Sequence, residues 1–185
     1  MTERGRQCVD ERSWYALYTR PKFEKKVVSI LTEKQIESFL PTRSVIRFWS
    51  DRKKMIQEPL FPSYVFVFAD QAERYRSLQS VGVIRMVHFN GKPARIPSAQ
   101  IENIRRALNN GYQLEPHDHY LHSGDEVEIV AGPLSGMRGY FLENRGNKKL
   151  VISVHAIQQS LVIELDPGQI KKSPSRNISL ADAAT

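Results

Sequence analysis

The stretch Pro59-Leu60-Phe61-Pro62-Ser63-Tyr64-Val65-Phe66-Val67-Phe68 places two prolines around a turn and follows them with an unbroken apolar run. A strand points successive side chains to opposite faces, so Tyr64, Phe66 and Phe68 share one face and the two valines share the other. Helices of the same domain can cover one of these apolar faces. The sequence leaves open whether the domain also buries the second face or exposes Tyr64 and Phe66 as a docking patch.

The residues before this stretch predict the first half of an α+β domain over residues 13–111. Residues 14–19 have the aromatic composition of a strand. Pro21 stands where a first helical turn begins, because proline lacks the amide hydrogen that would be unpaired there. Apolar residues then recur at helical spacing, at Phe23, Val27, Ile30 and Leu31. Residues 39–48 and 55–56 predict strands joined in a hairpin.

The residues after the stretch predict the second half of the same domain. Asp70 with Glu73 three residues later is typical of a capping box at the start of a helix. Residues 83–89 predict a strand, and Asn90-Gly91 after it is typical of a tight hairpin turn. Ser98 and Gly111 are suited to begin and end a last helix. The order β-α-β-β-β-α-β-β-α predicts helices against one antiparallel sheet.

The remaining residues predict a linker, a small β-barrel and a tail. Residues 112–122 have neither helical nor strand periodicity, which indicates a linker. Short apolar segments separated by Gly, Pro and Asn turns predict a barrel over residues 123–172. Its strands are expected at residues 126–130, 138–142, 150–154 and 161–165. Residues 1–12 and 173–185 are expected to be a flexible start and a disordered tail.

Charge is distributed unevenly along the 185 residues. The chain has 27 Lys and Arg against 20 Asp and Glu, a net charge of +7. Residues 1–115 contain 20 basic and 12 acidic residues, whereas residues 116–185 contain 7 and 8. A polyanionic partner is therefore expected to meet the first part of the chain.

The tip of the predicted hairpin combines basic residues with an aromatic ring. Arg47, Arg52, Lys53 and Lys54 are candidates for contact with a phosphate backbone. Trp49 beside them is a candidate for stacking on an unpaired base. The alternative is a solvated turn that is charged for solubility.

Two signatures resemble the NusG family of transcription elongation factors, across nearly all of residues 14–172. Trp14-Tyr15-Ala16-Leu17-Tyr18, then Pro21 with a basic helix, and the apolar stretch at residues 59–67 are similar to that family's N-terminal domain. Gly124-Asp125-x-Val127-x-Ile129-x-x-Gly132-Pro133-x-x-Gly136-x-x-Gly139 is similar to its KOW motif, which implies an SH3-like barrel. Glycine lets the tight loops of such a barrel adopt positive φ.

The resemblance implies a non-enzymatic transcription elongation or antitermination factor. Such a factor docks on the clamp helices of the largest subunit of RNA polymerase and suppresses pausing or termination, while the KOW domain recruits a second protein partner. The polymerase contact of the family corresponds here to Tyr18, Tyr64, Phe66, Met86 and Ile96. Positions that face upstream or non-template DNA in a specialised relative correspond to Arg20 and Lys22.

One departure from the family lies at the tip of the barrel. General NusG proteins carry a Phe-Gly-Arg tip associated with binding Rho and a ribosomal protein, and this sequence has Ile157-Gln158-Gln159. Together with the basic N-terminal half, this resembles a specialised paralogue of the RfaH or capsule-operon antiterminator type. The β-branched residues and glycines of residues 123–172 nevertheless predict a constitutive barrel, in contrast to a domain stored as helices.

The second hypothesis is a KOW-type RNA-binding protein associated with the ribosome. An RNA-binding barrel is expected to be basic, whereas residues 116–185 carry a net charge of −1. The charge distribution therefore favours the transcription factor.

Enzymatic chemistry, cofactors and metals are not expected. The sequence lacks Gly-x-Gly-x-x-Gly, a Walker loop and a Gly-x-Ser-x-Gly elbow. His117, Asp118, His119 and His122 have the spacing of metal ligands but fall in the predicted linker, which provides no rigid element to orient them. A lone Cys8 fits a reducing compartment, and no apolar run approaches the roughly 20 residues of a membrane span. We therefore expect a cytoplasmic monomer.

Overall fold

The computed structural model describes residues 11–48, 52–117, 126–144, 147–164 and 170–172. Several residues singled out in the sequence lie outside these ranges, and they are Cys8, Trp49, Asp118, His119, His122, Gly124 and Asp125. The expected tail, residues 173–185, also lies outside them, as does the expected flexible start except for its last two residues.

The chain divides into two compact units. The first comprises Met1–Glu102 with Val154–Ile157, and the second comprises Asn103–Ser153 with Gln158–Thr185. This division falls earlier along the chain than the linker that the sequence predicts at residues 112–122. The first unit is mixed α/β and the second is rich in strands.

The first unit alternates strands and helices as the sequence predicts, but four strands separate its first two helices and three separate its last two, where the sequence predicts three and two. Its strands are β1 (Ser13–Thr19), β2 (Glu37–Phe39), β3 (Thr42–Phe48), β4 (Lys53–Pro59), β5 (Tyr64–Ala69), β6 (Val83–Met86), β7 (His88–Phe89) and β8 (Lys92–Pro93). The helices are α1 (Glu24–Glu33), α2 (Gln71–Leu78) and α3 (Ser98–Asn109), of which α3 continues into the second unit. None of the described helices is long and apolar enough to cross a membrane.

A four-stranded antiparallel sheet in the order β2-β5-β1-β6 forms the centre of the first unit. Helix α1 belongs to the hydrophobic core on one face of this sheet. The buried members of that core are Tyr15, Leu17, Val27, Leu31, Ile36, Val65, Val67, Ala69 and Met86. The predicted alternation is confirmed, because the valine face of β5 lies in this core.

Pro21 lies in a turn before helix α1, not in its first turn as the sequence predicts. The amide of Phe23 donates to the carbonyl of Arg20 at 3.1 Å, and Lys22 has φ of 66°. Proline at the second position followed by positive φ is the pattern of a type II β-turn. Helix α1 consequently begins only at Glu24.

Two local predictions in the second half of the unit are confirmed. The amide of Glu73 donates to Asp70 at 2.8 Å and the amide of Asp70 donates to Glu73 at 3.0 Å, which completes the capping box of α2. Asn90 and Gly91 have φ of 50° and 76° in the turn between β7 and β8. The predicted strand over residues 83–89 is split, because β6 pairs with β1 whereas β7 pairs with β8.

The described strands of the second unit form a six-stranded sheet. They are β9 (Leu114–His117), β10 (Glu126–Ile129), β11 (Arg138–Asn144), β12 (Asn147–Val154), β13 (Gln159–Glu164) and β14 (Ile170–Lys172), in the order β14-β10-β11-β12-β13-β9. The strands β10 to β13 correspond to the four that the sequence predicts. No α-helix occurs among the described residues of 126–172, where a short 3-10 turn spans His155–Ile157.

Strand β9 corrects the prediction that residues 112–122 are all linker. It pairs antiparallel with β13, with Leu114 opposite Ile163. Of its four residues only Leu114 is fully buried, so the sequence offers no alternating pattern from which to recognise it. Pro116 is compatible with β9 because the strand lies at the edge of the sheet.

The glycines of the KOW-like motif serve two purposes. Gly132 and Gly136 have φ of 84° and 82°, which confirms that the loop after β10 requires positive φ. Gly139 is needed for space, since a Cβ there would lie 2.5 Å from the carbonyl oxygen of Val151. Within the same unit, one guanidinium nitrogen of Arg106 donates to the carbonyls of Pro133 and Ser135, each at 3.0 Å.

Candidate functional site

A second turn with a proline precedes β5 and positions Tyr64. The amide of Tyr64 donates to the carbonyl of Phe61 at 3.2 Å, and Ser63 has φ of 64°, which repeats the type II pattern of residues 20–23. The carbonyl of Ser63 accepts from Thr19 at 2.8 Å, and its amide donates to the Glu24 carboxylate at 2.7 Å. The turn is therefore held by both β1 and α1.

Three side chains form a row across the strands next to this turn. Tyr18 in β1 lies opposite Tyr64 in β5 and opposite Arg85 in β6. The two tyrosine rings are 5.4 Å apart between centroids and are inclined by 58°. The guanidinium carbon of Arg85 lies 5.5 Å from the centroid of Tyr18, a cation–π distance. We call Tyr64, Tyr18 and Arg85 the tyrosine row.

The tyrosine row presents polar groups on an apolar base. Both tyrosines are half-buried and Arg85 is exposed. Burial raises the pKa of Tyr64, the neighbouring Tyr18 raises it further, and Arg85 partly offsets the rise. The Tyr64 phenol is therefore neutral at physiological pH, where its hydroxyl can both donate and accept a hydrogen bond. A half-exposed aromatic pair of this kind is suited to a protein contact.

The expected docking patch does not include Phe66. This side chain is 0% exposed, and its ring lies 5.6 Å from that of Phe61 in an edge-on arrangement and 6.3 Å from that of Phe39. The predicted face of Phe66 is correct, but residues of the preceding turn and of β2 pack against it. The alternation of residues along a strand predicts which face a side chain occupies, but it does not predict whether other segments cover that side chain.

Met86 and Ile96, two further candidates for the polymerase contact, are also buried. Met86 is 1% exposed and belongs to the core that contains α1. Ile96 is 3% exposed, and its amide donates to the carbonyl of Trp14 at 2.8 Å. Of the five candidate residues for the polymerase contact, only Tyr18 and Tyr64 are more than a few per cent exposed.

Arg20 and Lys22 lie in the turn that follows β1, close in sequence to Tyr18. Both residues are exposed, and the amide of Arg20 donates to the carbonyl of Gly82 at 2.8 Å. The turn therefore anchors the backbone while leaving two cationic side chains available to a ligand.

The hairpin of β3 and β4 separates the basic candidates into two groups. Arg47 donates twice to one carboxylate oxygen of Glu58, at 2.9 and 2.7 Å, so its guanidinium is already paired with a carboxylate. Arg52, Lys53 and Lys54 are exposed, and no described carboxylate lies within ion-pair distance of the two lysines. The cationic surface of the hairpin is thus smaller than the sequence predicts.

The structure reveals three site residues that no pattern in the sequence identifies. They are Glu24, which holds the Ser63 turn, Arg85, which completes the tyrosine row, and Phe48, which is 74% exposed on the hairpin. For Arg85 the missing signal is strand register, because its partner in β1 is distant in sequence. For Phe48, apolar character in a predicted strand favours burial, which the structure does not show.

The described site candidates that follow the tyrosine-row domain, in residues 117–172, are mainly structural. Val127 is 1% exposed, and Pro133 lies in the exposed loop after β10. At the expected tip, Ile157 is 6% exposed, whereas Gln158 is exposed with φ of 54°. Of the histidine cluster only His117 is described, at the end of β9. The described part of the chain contains no group of three potential metal ligands.

The model of the family described as "Transcription termination factor nusG" matches residues 12–105, slightly more than half of the chain. The transcription termination/antitermination protein NusG of Haemophilus influenzae is 27% identical over 179 residues, covering 89% of this chain and 96% of that protein. The protein of the same name from Thermus thermophilus is 26% identical over 183 residues, covering 86% and 98%.

A solved structure shows the same fold. The structure described as "Domain interaction in Thermotoga maritima NusG" is 22% identical in sequence, with a TM-score of 0.52, and covers 89% of this chain and 98% of its own. The family match includes β1 to β8 and with them the whole tyrosine row. The chain therefore belongs to the NusG family.

Proposed function

We propose that this protein is a transcription elongation and antitermination factor that docks on the clamp helices of RNA polymerase. Relatives that are 26–27% identical to this chain are named transcription termination/antitermination proteins, and the similarity covers nearly their full length. The proposed docking surface is the tyrosine row. Docking that favours the closed, elongating enzyme over the paused enzyme suppresses pausing or termination, in proportion to the difference in affinity.

The single observation that carries this proposal is the arrangement of Tyr64 against Tyr18. Two half-exposed rings at 5.4 Å, flanked by the cationic Arg85, combine the residue types that dominate protein interfaces. The adjoining turns limit backbone motion at both tyrosines, so little ordering is needed when a partner binds. A preorganised aromatic pair supports a specific protein contact better than a diffuse charge surface does.

Nucleic acid is the proposed second ligand of the first unit. Arg20 and Lys22 are exposed directly after β1, so a factor docked through Tyr18 presents these cations beside its protein partner. Upstream or non-template DNA at the polymerase is the corresponding polyanion. Because residues 1–102 contain 18 basic and 11 acidic residues, the whole positive excess of the chain, this unit is the part suited to that contact.

Residues 123–172 are proposed to form a KOW barrel that recruits another protein. Its near-neutral charge disfavours RNA as the partner, and its positive-φ loop glycines are those of the KOW-like motif. The tip sequence Ile157-Gln158-Gln159 differs from the Phe-Gly-Arg of general NusG proteins, which favours a partner specific to a specialised paralogue.

A pull-down with purified core RNA polymerase tests the docking proposal. We expect wild type to bind and the Tyr18→Ala/Tyr64→Ala double variant to bind at least about tenfold more weakly, because truncated interface aromatics cost about 2 kcal/mol. Tyr75→Ala is the matched control, since Tyr75 is a 63% exposed tyrosine on α2, outside the row. Wild type that does not bind, or a folded double variant that binds equally well, contradicts the proposal.

A further inference from the structure

The hairpin of β3 and β4 displays an apolar face that the docking surface does not use. Ile46 lies opposite Met55, and Phe48 lies opposite Lys53. Because side chains alternate along a strand, these four residues share one face. The three apolar side chains are 55%, 66% and 74% exposed, in the order Ile46, Met55 and Phe48. Such exposure of neighbouring large apolar residues marks a binding surface.

Charge at the Phe48 end of this face indicates what it binds. The ammonium of Lys53 lies 5.1 Å from the centroid of the Phe48 ring. No described carboxylate pairs with this ammonium, whereas Arg47 on the opposite face is paired with Glu58. An aromatic ring beside a cation is the combination with which proteins bind single strands, the ring stacking on a base and the cation contacting a phosphate.

We infer that Phe48 and Lys53 form a stacking site for an unpaired nucleobase of single-stranded nucleic acid. The ring of Phe48 accepts the base, Lys53 contacts the adjoining phosphate, and Ile46 with Met55 contacts the neighbouring nucleotide. A base within a duplex is already stacked on both faces and cannot use this ring. The inference rests on the proposed function, because a transcribing polymerase exposes unpaired strands close to a docked factor.

Fluorescence of a 2-aminopurine-containing single-stranded DNA oligonucleotide tests the site in the full chain without polymerase. We expect wild type to quench the fluorescence on binding. Phe48→Ala and Phe48→Leu are expected to weaken binding about 5- to 150-fold, the range for loss of a base–aromatic stack. Lys53→Gln is expected to reduce the dependence of log K on log salt by about 0.7, the value for one phosphate of a single strand.

Phe89 provides a matched control on another hairpin of the same unit. It is 73% exposed and lies opposite Lys92, but no cation–π contact joins these two residues. Phe89→Ala is expected to bind the oligonucleotide as wild type does. Wild type that fails to bind, Phe48→Ala that binds normally, equal loss in Phe89→Ala, or equal affinity for a duplex overturns the inference.

Polymerase binding separates this inference from the proposed function. Phe48→Ala is expected to retain polymerase in the pull-down, and Tyr18→Ala/Tyr64→Ala is expected to retain the oligonucleotide. If wild type binds polymerase but not the oligonucleotide, only the stacking site fails. If Phe48→Ala loses polymerase instead, the face is a protein contact and the inference is wrong. Melting temperatures of all variants verify that they are folded.

Discussion

The carboxylate of Glu24 accepts a hydrogen bond from the backbone amide of Ser63 at 2.7 Å, although 39 residues separate them. Glu24 is 5% exposed at the start of α1, and Ser63 has φ of 64°, a conformation that costs a non-glycine residue about 1–2 kcal/mol. The bond offsets this cost because it joins a charged acceptor to an amide in a shielded position. Tyr64 follows directly, so Glu24 helps to position the tyrosine row.

Removing the Glu24 carboxylate is expected to destabilise the first unit. Glu24→Ala leaves the Ser63 amide unpaired, and we expect a loss of about 2 kcal/mol in the free energy of unfolding. Glu24→Gln retains an acceptor oxygen and is expected to lose less. Urea unfolding followed by circular dichroism measures both changes. Glu33→Ala, at an exposed position of the same helix, is the control, and a loss there as large as in Glu24→Ala contradicts the assignment.

Alanine substitutions at Gly82 and Gly91 distinguish the energetic cost of positive φ from that of a steric clash. Their φ values are 97° and 76°, so alanine is strained at both positions. A Cβ on Gly82 would lie 2.6 Å from the ring of Phe23, whereas a Cβ on Gly91 would meet nothing within 4 Å. We expect Gly91→Ala to lower the melting temperature modestly and Gly82→Ala to lower it clearly more. If the two substitutions lower the melting temperature equally, the Phe23 side chain moves away from the added Cβ without a loss of stability.

The stability of the protein is expected to fall at alkaline pH through Tyr64. Its pKa is raised in the folded protein, chiefly by burial, so the folded state holds this proton more tightly than the unfolded state does. The stabilising contribution of the Tyr64 proton to the free energy of unfolding is fully present below the pKa of an unfolded tyrosine, about 10, and it is lost as pH rises through the folded pKa. Urea unfolding between about pH 8 and 11.5 is expected to show a weaker decline in Tyr64→Phe.

Arg85 provides an independent check on the same tyrosine. Its positive charge lowers the pKa of Tyr64, so Arg85→Gln is expected to raise that pKa further. Ultraviolet titration of tyrosine ionisation, with Tyr64→Phe to assign the transition, measures the shift. An unchanged or lowered Tyr64 pKa in Arg85→Gln means that the two side chains do not interact in solution.

The capping box of α2 is expected to contribute measurably to stability. Asp70→Ala removes the side-chain acceptor for the Glu73 amide, and loss of such a cap costs about 1 kcal/mol. Asp70→Asn retains an acceptor oxygen and is expected to be close to wild type. Thermal unfolding distinguishes them, and Asp70→Asn that is as unstable as Asp70→Ala shows that the charge, not the hydrogen bond, matters.

Residues 123–172 are expected to be strand-rich when isolated. The described part of this segment contains strands and a 3-10 turn but no α-helix, and its loop glycines have the φ values that a β-loop requires. Far-ultraviolet circular dichroism of the isolated segment is expected to show a β-type spectrum. A spectrum dominated by helix means that the segment is stored as helices, and refutes the constitutive barrel.

Signals confined to a few consecutive residues predicted the structure well. The capping box of Asp70 and Glu73 and the turn at Asn90-Gly91 formed as expected, because their hydrogen bonds and dihedral angles involve only near neighbours. Pro21 lies in a turn and not in the predicted first turn of the helix, because proline is favoured at both positions and its local sequence does not distinguish them. Strand β9 was missed because one buried leucine in four residues forms no pattern.

The sequence by itself determined the α+β class of the first unit, the face of each side chain in β5, the concentration of positive charge before residue 116 and the glycines of the second unit. Only the tertiary structure decided that Phe66 is buried while Tyr64 is half-exposed on the same face. The tertiary structure also decided that Arg85 contacts the ring of Tyr18 and that Phe48 is exposed. The reason is physical: alternation is a property of one strand, whereas burial and register depend on which distant segments pack beside it.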